Sequence, residues 1–205
     1  MCENTQELER SVKRQKSSLD SKISKSAYSE SFGDYEKDDQ AQILLLEAEI
    51  FESKKNLNNL ATLIRIFDSK ANKKNDFIDS GVSLSRVFTR FMISGDMKKR
   101  PNATEKELVV TRWQKEQYFK YKKILASLLS ESSSASVILN LCMRLLKSEG
   151  QYLLAGQDHI FPTSFLKDIV QGLLTSQNNS LVIEEFGKKF VEEYDDIRFY
   201  TQEAV

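Results

Sequence analysis

The sequence is poor in residues that break, staple or catalyse. It has only two prolines and seven glycines in 205 residues, so little in it would interrupt long helices. Its two cysteines are Cys2, in a polar start, and Cys142, in an apolar run. That placement argues against a disulfide framework. His159 is the single histidine. With two distant cysteines it cannot complete a usual zinc site, and no nucleophile or carboxylate motif accompanies it. No Gly-rich phosphate loop is present, and no apolar run approaches the length that spans a bilayer. The opening residues hold no signal-peptide core. A reducing compartment is expected, either cytosol or nucleus. No cofactor, metal, membrane, small-molecule substrate or enzymatic role is expected.

Charge of one sign is lacking too, since 30 Lys and Arg match 30 Asp and Glu. No global field would draw the chain onto nucleic acid or membrane, so any RNA contact must be local. Two basic loops are candidate RNA contacts: Lys70, Lys73 and Lys74 in one, Lys98, Lys99 and Arg100 in the other. Such cations meet phosphates without reading sequence, although simple solubility is the blander account. Lys13, Arg14 and Lys16 form a candidate import signal of a common kind. The carboxylate pairs Glu184-Glu185, Glu192-Glu193 and Asp195-Asp196 would point about 100° apart on a helix, so spacing alone makes no acid/base pair. They read as a solvated face, with a polar knot of Asp195, Asp196 and Arg198 as the alternative.

Apolar residues at helical spacing are abundant. Residues 1–39 are rich in serine and charge and are expected to form a disordered tail. A helical-repeat domain is expected over 40–205. Its first helix would turn Ile43, Leu45, Leu46, Glu49 and Ile50 inward, and its second Leu57, Leu60, Leu63, Ile64 and Phe67. Residues 69–76 read as a loop, and 83–93 as a helix with Leu84, Val87, Phe88 and Phe91 inward. Thr104-x-x-Glu107 has capping-box spacing, so a long helix should follow to about Ser130. Residues 134–149 form the next, with Val137, Ile138, Leu141, Leu145 and Leu146 inward, Cys142 in the core and Gly150 as a stop. Phe161-Pro162-Thr163-Ser164 opens another, in which Phe165, Ile169, Val170, Leu173 and Leu174 are apolar. Ser180 starts the last, and its interior Gly187 implies close packing.

The stretch TRWQKEQYFKYKKILASLL, residues 111–129, interleaves aromatics with cations as nucleic-acid surfaces do. Steps of about 100° per residue separate the two sets. Val110, Trp113, Tyr118, Tyr121, Ile124, Leu125, Leu128 and Leu129 share one face. Arg112, Lys115, Lys122 and Lys123 fall outside it. Phe119 joins Arg112 and Lys123 on the back, and one ring is no stacking platform. The aromatics are therefore expected mostly in the core. No segment alternates in the manner of a strand. The fold class is all-α: antiparallel helix pairs stacked as an irregular HEAT-like α-solenoid.

The order of these elements resembles the N-terminal part of the nucleolar complex protein four branch of the Noc/CCAAT-binding-factor family. The resemblance lies in ILLLEAEIFESKKNLNNLATLI, in Trp113 with Tyr118, in IFPTSFLKDIVQGLL and in YDDIRFYTQEAV. It implies a scaffold in nucleus and nucleolus, without catalysis or cofactor. It implies work in the small-subunit processome, where family members pair with nucleolar protein fourteen and support pre-ribosomal RNA processing and 40S export. Trp113, Tyr118, Phe161, Pro162, Gly172, Tyr194, Asp195, Asp196, Arg198 and Tyr200 match the family's motifs and would be structural or interface residues. Family members continue past the Tyr-Asp-Asp-x-Arg segment into a larger helical domain, the part associated with nucleolar protein fourteen. An N-terminal portion of such a protein is therefore expected here, with packing partners of Phe199 and Tyr200 lying beyond it. From the residues alone, a general α-helical adaptor that takes a peptide or helix in a groove stands as the alternative. A sequence-specific reader of nucleic acid is weaker, for want of a reading motif. If Trp113 is a core ring, Trp113→Ala should cost about 3 to 5 kcal/mol in denaturant unfolding; a near-neutral result would reassign the faces of that helix.

Overall fold

The structure, a computed structural model, describes residues 34–72, 77–131, 133–154, 161–175 and 180–204. The candidate import signal, Lys73, Lys74 and His159 lie outside the described residues. The chain divides into two compact units, Met1–Gln42 and Ile43–Val205. Of the first, residues 34–42 are described, and they are helical.

Eight α-helices are described, with no strand among these residues. They are α1 (Asp34–Glu52), α2 (Asn58–Asn72), α3 (Ile78–Ile93), α4 (Glu105–Glu131), α5 (Ala135–Ser148), α6 (Thr163–Thr175), α7 (Ser180–Phe186) and α8 (Asp195–Ala204). A 3-10 turn, Lys54–Asn56, follows α1, and wide π turns follow α5 (Glu149–Leu153) and α7 (Gly187–Val191). Helix α1 thus begins before residue 40.

From α2 onward each helix rests on the next but one. Helices α2, α4, α6 and α8 touch in that order to form one layer, and α3, α5 and α7 form the second. The layers meet where α2 packs on α3, α4 on α5, α5 on α6 and α6 on α7. Helices that pack together across a short link must run antiparallel, as α4 and α5 do across residues 132–134. This is the two-layer stacking of an α-solenoid.

Local chemistry sets the helix ends. The capping box forms at α4: the Thr104 N–H donates to Glu107 Oε2 at 2.8 Å, and the Glu107 N–H to Thr104 Oγ1 at 3.4 Å. Gly95, with φ of 73°, ends α3. Its N–H donates to the Met92 carbonyl and that of Asp96 to the Phe91 carbonyl, the Schellman pattern. The Pro162 carbonyl accepts from Phe165 and Leu166 at the start of α6.

The core begins in an aromatic cluster. Tyr121 stands 5.4 Å from Phe67 and 5.5 Å from Phe88, and Tyr118 lies 5.0 Å from Phe88, ring centre to ring centre. The Tyr121 hydroxyl donates to the Gly81 carbonyl at 2.6 Å, tying α4 to α3. Tyr118, Tyr121, Leu125, Leu128 and Leu129 are buried as their periodicity predicts.

Several expectations need correction. In α1 the inward stripe is Ile43, Glu47 and Ile50, while Leu45 is exposed and Glu49 half-buried, because Ser83 and Arg86 of α3 wait opposite Glu47. The loop read at 69–76 starts later, since Ala71, one turn past Phe67, is buried and keeps α2 helical. Val110, Val137 and Leu174 point to solvent at the edges of their stripes. Trp113 is only partly buried, which lowers the expected cost of Trp113→Ala to about 1 to 3 kcal/mol. Gly150 does not stop the winding: α5 ends at Ser148 and passes directly into the π turn Glu149–Leu153, which contains Gly150.

The close packing expected at Gly187 is found at Gly172 instead. A Cβ at Gly187 would meet nothing within 4 Å, whereas one at Gly172 would lie 2.6 Å from the Ala126 carbonyl oxygen and 3.3 Å from Leu129 Cβ. Backbone cannot step aside cheaply, so Gly172→Ala should destabilise by about 1 to 3 kcal/mol. Gly187→Ala should be neutral or stabilise by up to about 1 kcal/mol. Denaturant midpoints of the two variants should therefore move in opposite directions or, at the least, only the first should fall.

Candidate interaction surfaces

Ionisable groups withdrawn from water are where chemistry would be sought first, and here they are paired. Lys122, expected outside the apolar face, instead lies inside: its side chain is 14% exposed and that of Glu149 13%, with Nζ 3.3 Å from the carboxylate. The ammonium lies 4.7 Å from the Tyr118 ring centre and 4.8 Å from that of Phe165. The Tyr118 hydroxyl donates to the same carboxylate at 3.2 Å. Burial first, then the Glu149 charge, pushes Tyr118 well above the usual phenol range. This cluster joins α4, the π turn after α5, and α6. Its charge is matched and its rings are packed, which is what a structural joint requires. The Cys142 thiol is buried and pushed upward by that burial, so it is an inert thiol.

Of the candidate RNA contacts, Lys70 lies in the last turns of α2. Lys98, Lys99 and Arg100 stand together in the α3–α4 connection, the first half-buried and the others exposed. Asp96 compensates part of that charge, holding Lys54 at 3.0 Å and Arg100 at 3.7 Å. Burial would raise the Asp96 carboxyl, but hydrogen bonds from Ser94 and Lys54 and the charges of Lys54 and Arg100 hold it below its usual range. Lys54, Lys98, Arg100 and Lys106 line a depression of about 240 Å³ shared with Asp96 and Glu107. Lys54, distant in sequence, gave no signal that it would join this loop.

The larger feature is a groove of about 640 Å³ between α5, the lead-in to α6 and the start of α8. Met143, Leu146, Phe161, Pro162, Phe190 and Ile197 give it an apolar lining, while Arg144, Lys147, Tyr194 and Asp196 supply polar atoms. Arg144 and Lys147 are exposed, and their side chains have no hydrogen-bond or ion-pair partner among the described residues. The volume and mixture suit a site for one or two side chains of a partner.

Four motif residues meet in this groove, Phe161 and Pro162 from one segment and Tyr194 and Asp196 from another over thirty positions on. Tyr200 holds the arrangement from behind, stacked on Phe161 at 4.6 Å between centres. Phe199 is exposed. Asp195 pairs with Arg198 on the surface, and Asp196 accepts the Ile197 N–H at 2.8 Å, so these three form a helix start and no buried knot. Glu184 and Glu185 pair with Lys188 and Lys189 one turn on. Trp113, Tyr118 and Gly172 lie elsewhere, in and around the α4 seam. Among the described residues no group of three or more His, Cys, Asp or Glu is placed to hold a metal ion, and no described helix is long and apolar enough to cross a membrane.

Stacked helix pairs with paired interior charges and an open groove define a helical-repeat scaffold. The chain belongs to the family described as "Nucleolar complex protein 4-like, TPR repeats", which matches it over residues 31–205. That description names TPR repeats where the sequence reading used HEAT-like ones; both are stacked helix pairs. The chain is also 27% identical over 160 residues to a Schizosaccharomyces pombe protein described as "Uncharacterized protein C1604.06c". The match takes in 76% of this chain but 32% of that protein. No solved structure matches the chain.

Glu47 supplies a pH test of the α1–α3 joint. It accepts from Ser83 at 2.6 Å and from Arg86 at 2.7 and 2.6 Å. Burial would raise its carboxyl, but these hydrogen bonds and the Arg86 charge outweigh that and hold it below the usual carboxylate range. A depressed carboxyl contributes stability above its unfolded pKa and loses it as pH falls through the folded one. Glu47→Gln should therefore cost about 1 to 3 kcal/mol at neutral pH. That difference should shrink as pH falls below about 4, in urea unfolding followed at both pH values.

Proposed function

We propose that the chain is a non-enzymatic scaffold in the assembly of the small ribosomal subunit. On this reading it works in the nucleolus within the small-subunit processome, supports pre-ribosomal RNA processing and 40S export, and pairs with nucleolar protein fourteen. Family membership across residues 31–205 carries the reading. The groove at the α5–α8 end supports it, because motif residues build its wall. The apolar floor would take anchor side chains, and Arg144 and Lys147 would favour a partner segment carrying acidic residues. Lys98, Lys99 and Arg100 would meet pre-ribosomal RNA nearby. Because the chain spans 32% of its S. pombe relative, partner contacts of a whole family member are part of the proposal.

The same groove would serve a helical adaptor with no link to ribosomes, and one experiment separates the two. Affinity purification of the tagged chain from eukaryotic cells should recover nucleolar protein fourteen and small-subunit precursors. Arg144→Glu with Lys147→Glu should reduce that recovery severalfold with no change in melting temperature. Recovery of other partners without these would favour the adaptor. If a longer family-like protein recovers them in parallel and this chain does not, the partner contact lies outside residues 1–205.

A further inference from the structure

The back of α4, opposite the buried Tyr118, Tyr121 and Leu125, presents four cations around one bare ring. Arg112, Lys115, Lys120 and Lys123 are exposed, and Phe119 among them is 56% exposed. At about 100° per residue, Arg112, Phe119 and Lys123 fall within about 40° of one another, with Lys115 and Lys120 to either side. Arg112, Lys115, Glu116, Phe119 and Lys120 line a shallow recess. Arg112, Lys115 and Lys120 have no hydrogen-bond or ion-pair partner among the described residues. Lys123 is held by Asp168 at 3.1 Å, and its ammonium stands 5.5 Å from the Phe119 ring centre. It fixes one flank of the ring while leaving the other open. Glu116 shares the recess and is exposed, so with Lys123 paired to Asp168 the face carries three cations to one carboxylate, a local excess in a chain of zero net charge.

A protein partner fits this face poorly. Interface cores are depleted in charge and built from several apolar groups, whereas Phe119 is ringed by charged side chains, most of them cations. Val109 is the other exposed apolar residue on this side of the helix. Cations flanking an open ring suit a polyanion whose bases can stack. We propose that this face binds a short stretch of single-stranded RNA, with one base on Phe119 and flanking phosphates on Arg112, Lys115 and Lys120. Arg112 to Lys120 covers about 12 Å of helix axis, room for two or three nucleotides. One ring takes one base, so the contact holds and orients a strand without reading its sequence. The proposal extends the RNA contact suggested above to a second surface and stands even if the loop at 98–100 contributes nothing.

The test uses the full chain and a fluorescent oligouridine of about 12 nucleotides, with binding followed by anisotropy between about 50 and 200 mM salt. Arg112→Gln with Lys115→Gln and Lys120→Gln should weaken binding about tenfold or more and lower the log–log salt slope by about 2. Phe119→Ala should weaken it about fivefold or more at unchanged slope. All four positions are exposed, so melting temperatures should match the parent's, and this is checked first. The proposal fails if the parent chain does not bind oligouridine, or if both variants bind like the parent. A loss confined to Lys98→Ala, Lys99→Ala and Arg100→Ala would support the loop and overturn the α4 face. An unaffected Phe119→Ala, with polyglutamate competing as well as oligouridine, would mean a general polyanion or acidic-protein patch and would also overturn it.

Discussion

The close approach of α4 and α6 is the constraint on which the later part of the chain depends. It exists because Gly172 has no side chain, for a Cβ there would sit 2.6 Å from the Ala126 carbonyl oxygen. With the helices drawn together, Phe165 comes under the Lys122 ammonium, and Leu166, Ile169, Val170 and Leu173 are sealed from water. The position of α6 in turn fixes Pro162 and Phe161 at its start, Phe161 stacks on Tyr200 of α8, and the groove wall follows. Displacing α6 by a fraction of an ångström would move all of these together, since packed interiors transmit strain and do not absorb it.

Charge is placed with the same selectivity. At the seams it is matched: Glu47 with Arg86, Lys122 with Glu149, Asp96 with Lys54 and Arg100. Such pairs contribute modest net stability, because desolvation offsets much of the attraction. Where a partner is buried, as Glu47, Lys122 and Glu149 are, the pair penalises any other register, in which that charge would be left alone. Among the described residues, cations without partners include Arg144 and Lys147 beside the groove and Arg112, Lys115 and Lys120 on the back of α4, all of them outward. A net charge of zero thus conceals an uneven surface, and that unevenness is what a macromolecular partner would meet.

Apolar periodicity was enough to read α2, most of α3, and the inward face of α4 from Tyr118 to Leu129, because each stripe depends only on its own helix. The misses share a different cause. Glu47 is buried because Ser83 and Arg86 face it, and Lys122 because Glu149 and two rings enclose it. Neither partner is visible in the local pattern. Glycine is ambiguous for a related reason: Gly172 and Gly187 each interrupt an apolar helix, and only the neighbouring backbone at Ala126 tells close packing from open space. The groove was not legible at all, since it needs α5 and α8 side by side. The exposed side of α4 was legible as a set of residues, but its interest came from knowing that Arg112, Lys115 and Lys120 stay unpaired among the described residues.

The motif residues themselves divide into two physical kinds that a sequence pattern cannot separate. Tyr118, Pro162, Gly172 and Tyr200 hold the fold: one packs against Phe88 and hydrogen-bonds Glu149, one starts α6, one admits α4, and one stacks on Phe161. Tyr194, Asp195 and Asp196 are exposed where α8 begins, and Tyr194 keeps 48% of its surface open at the groove. An exposed aromatic beside an apolar recess gains nothing for the isolated fold, because its ring is left in water. It gains when a partner covers it, and tyrosine suits that role because its hydroxyl tolerates solvent until then. The outward-facing kind is therefore where recognition is to be sought, and the inward kind explains why the groove has the shape in which a partner would find it.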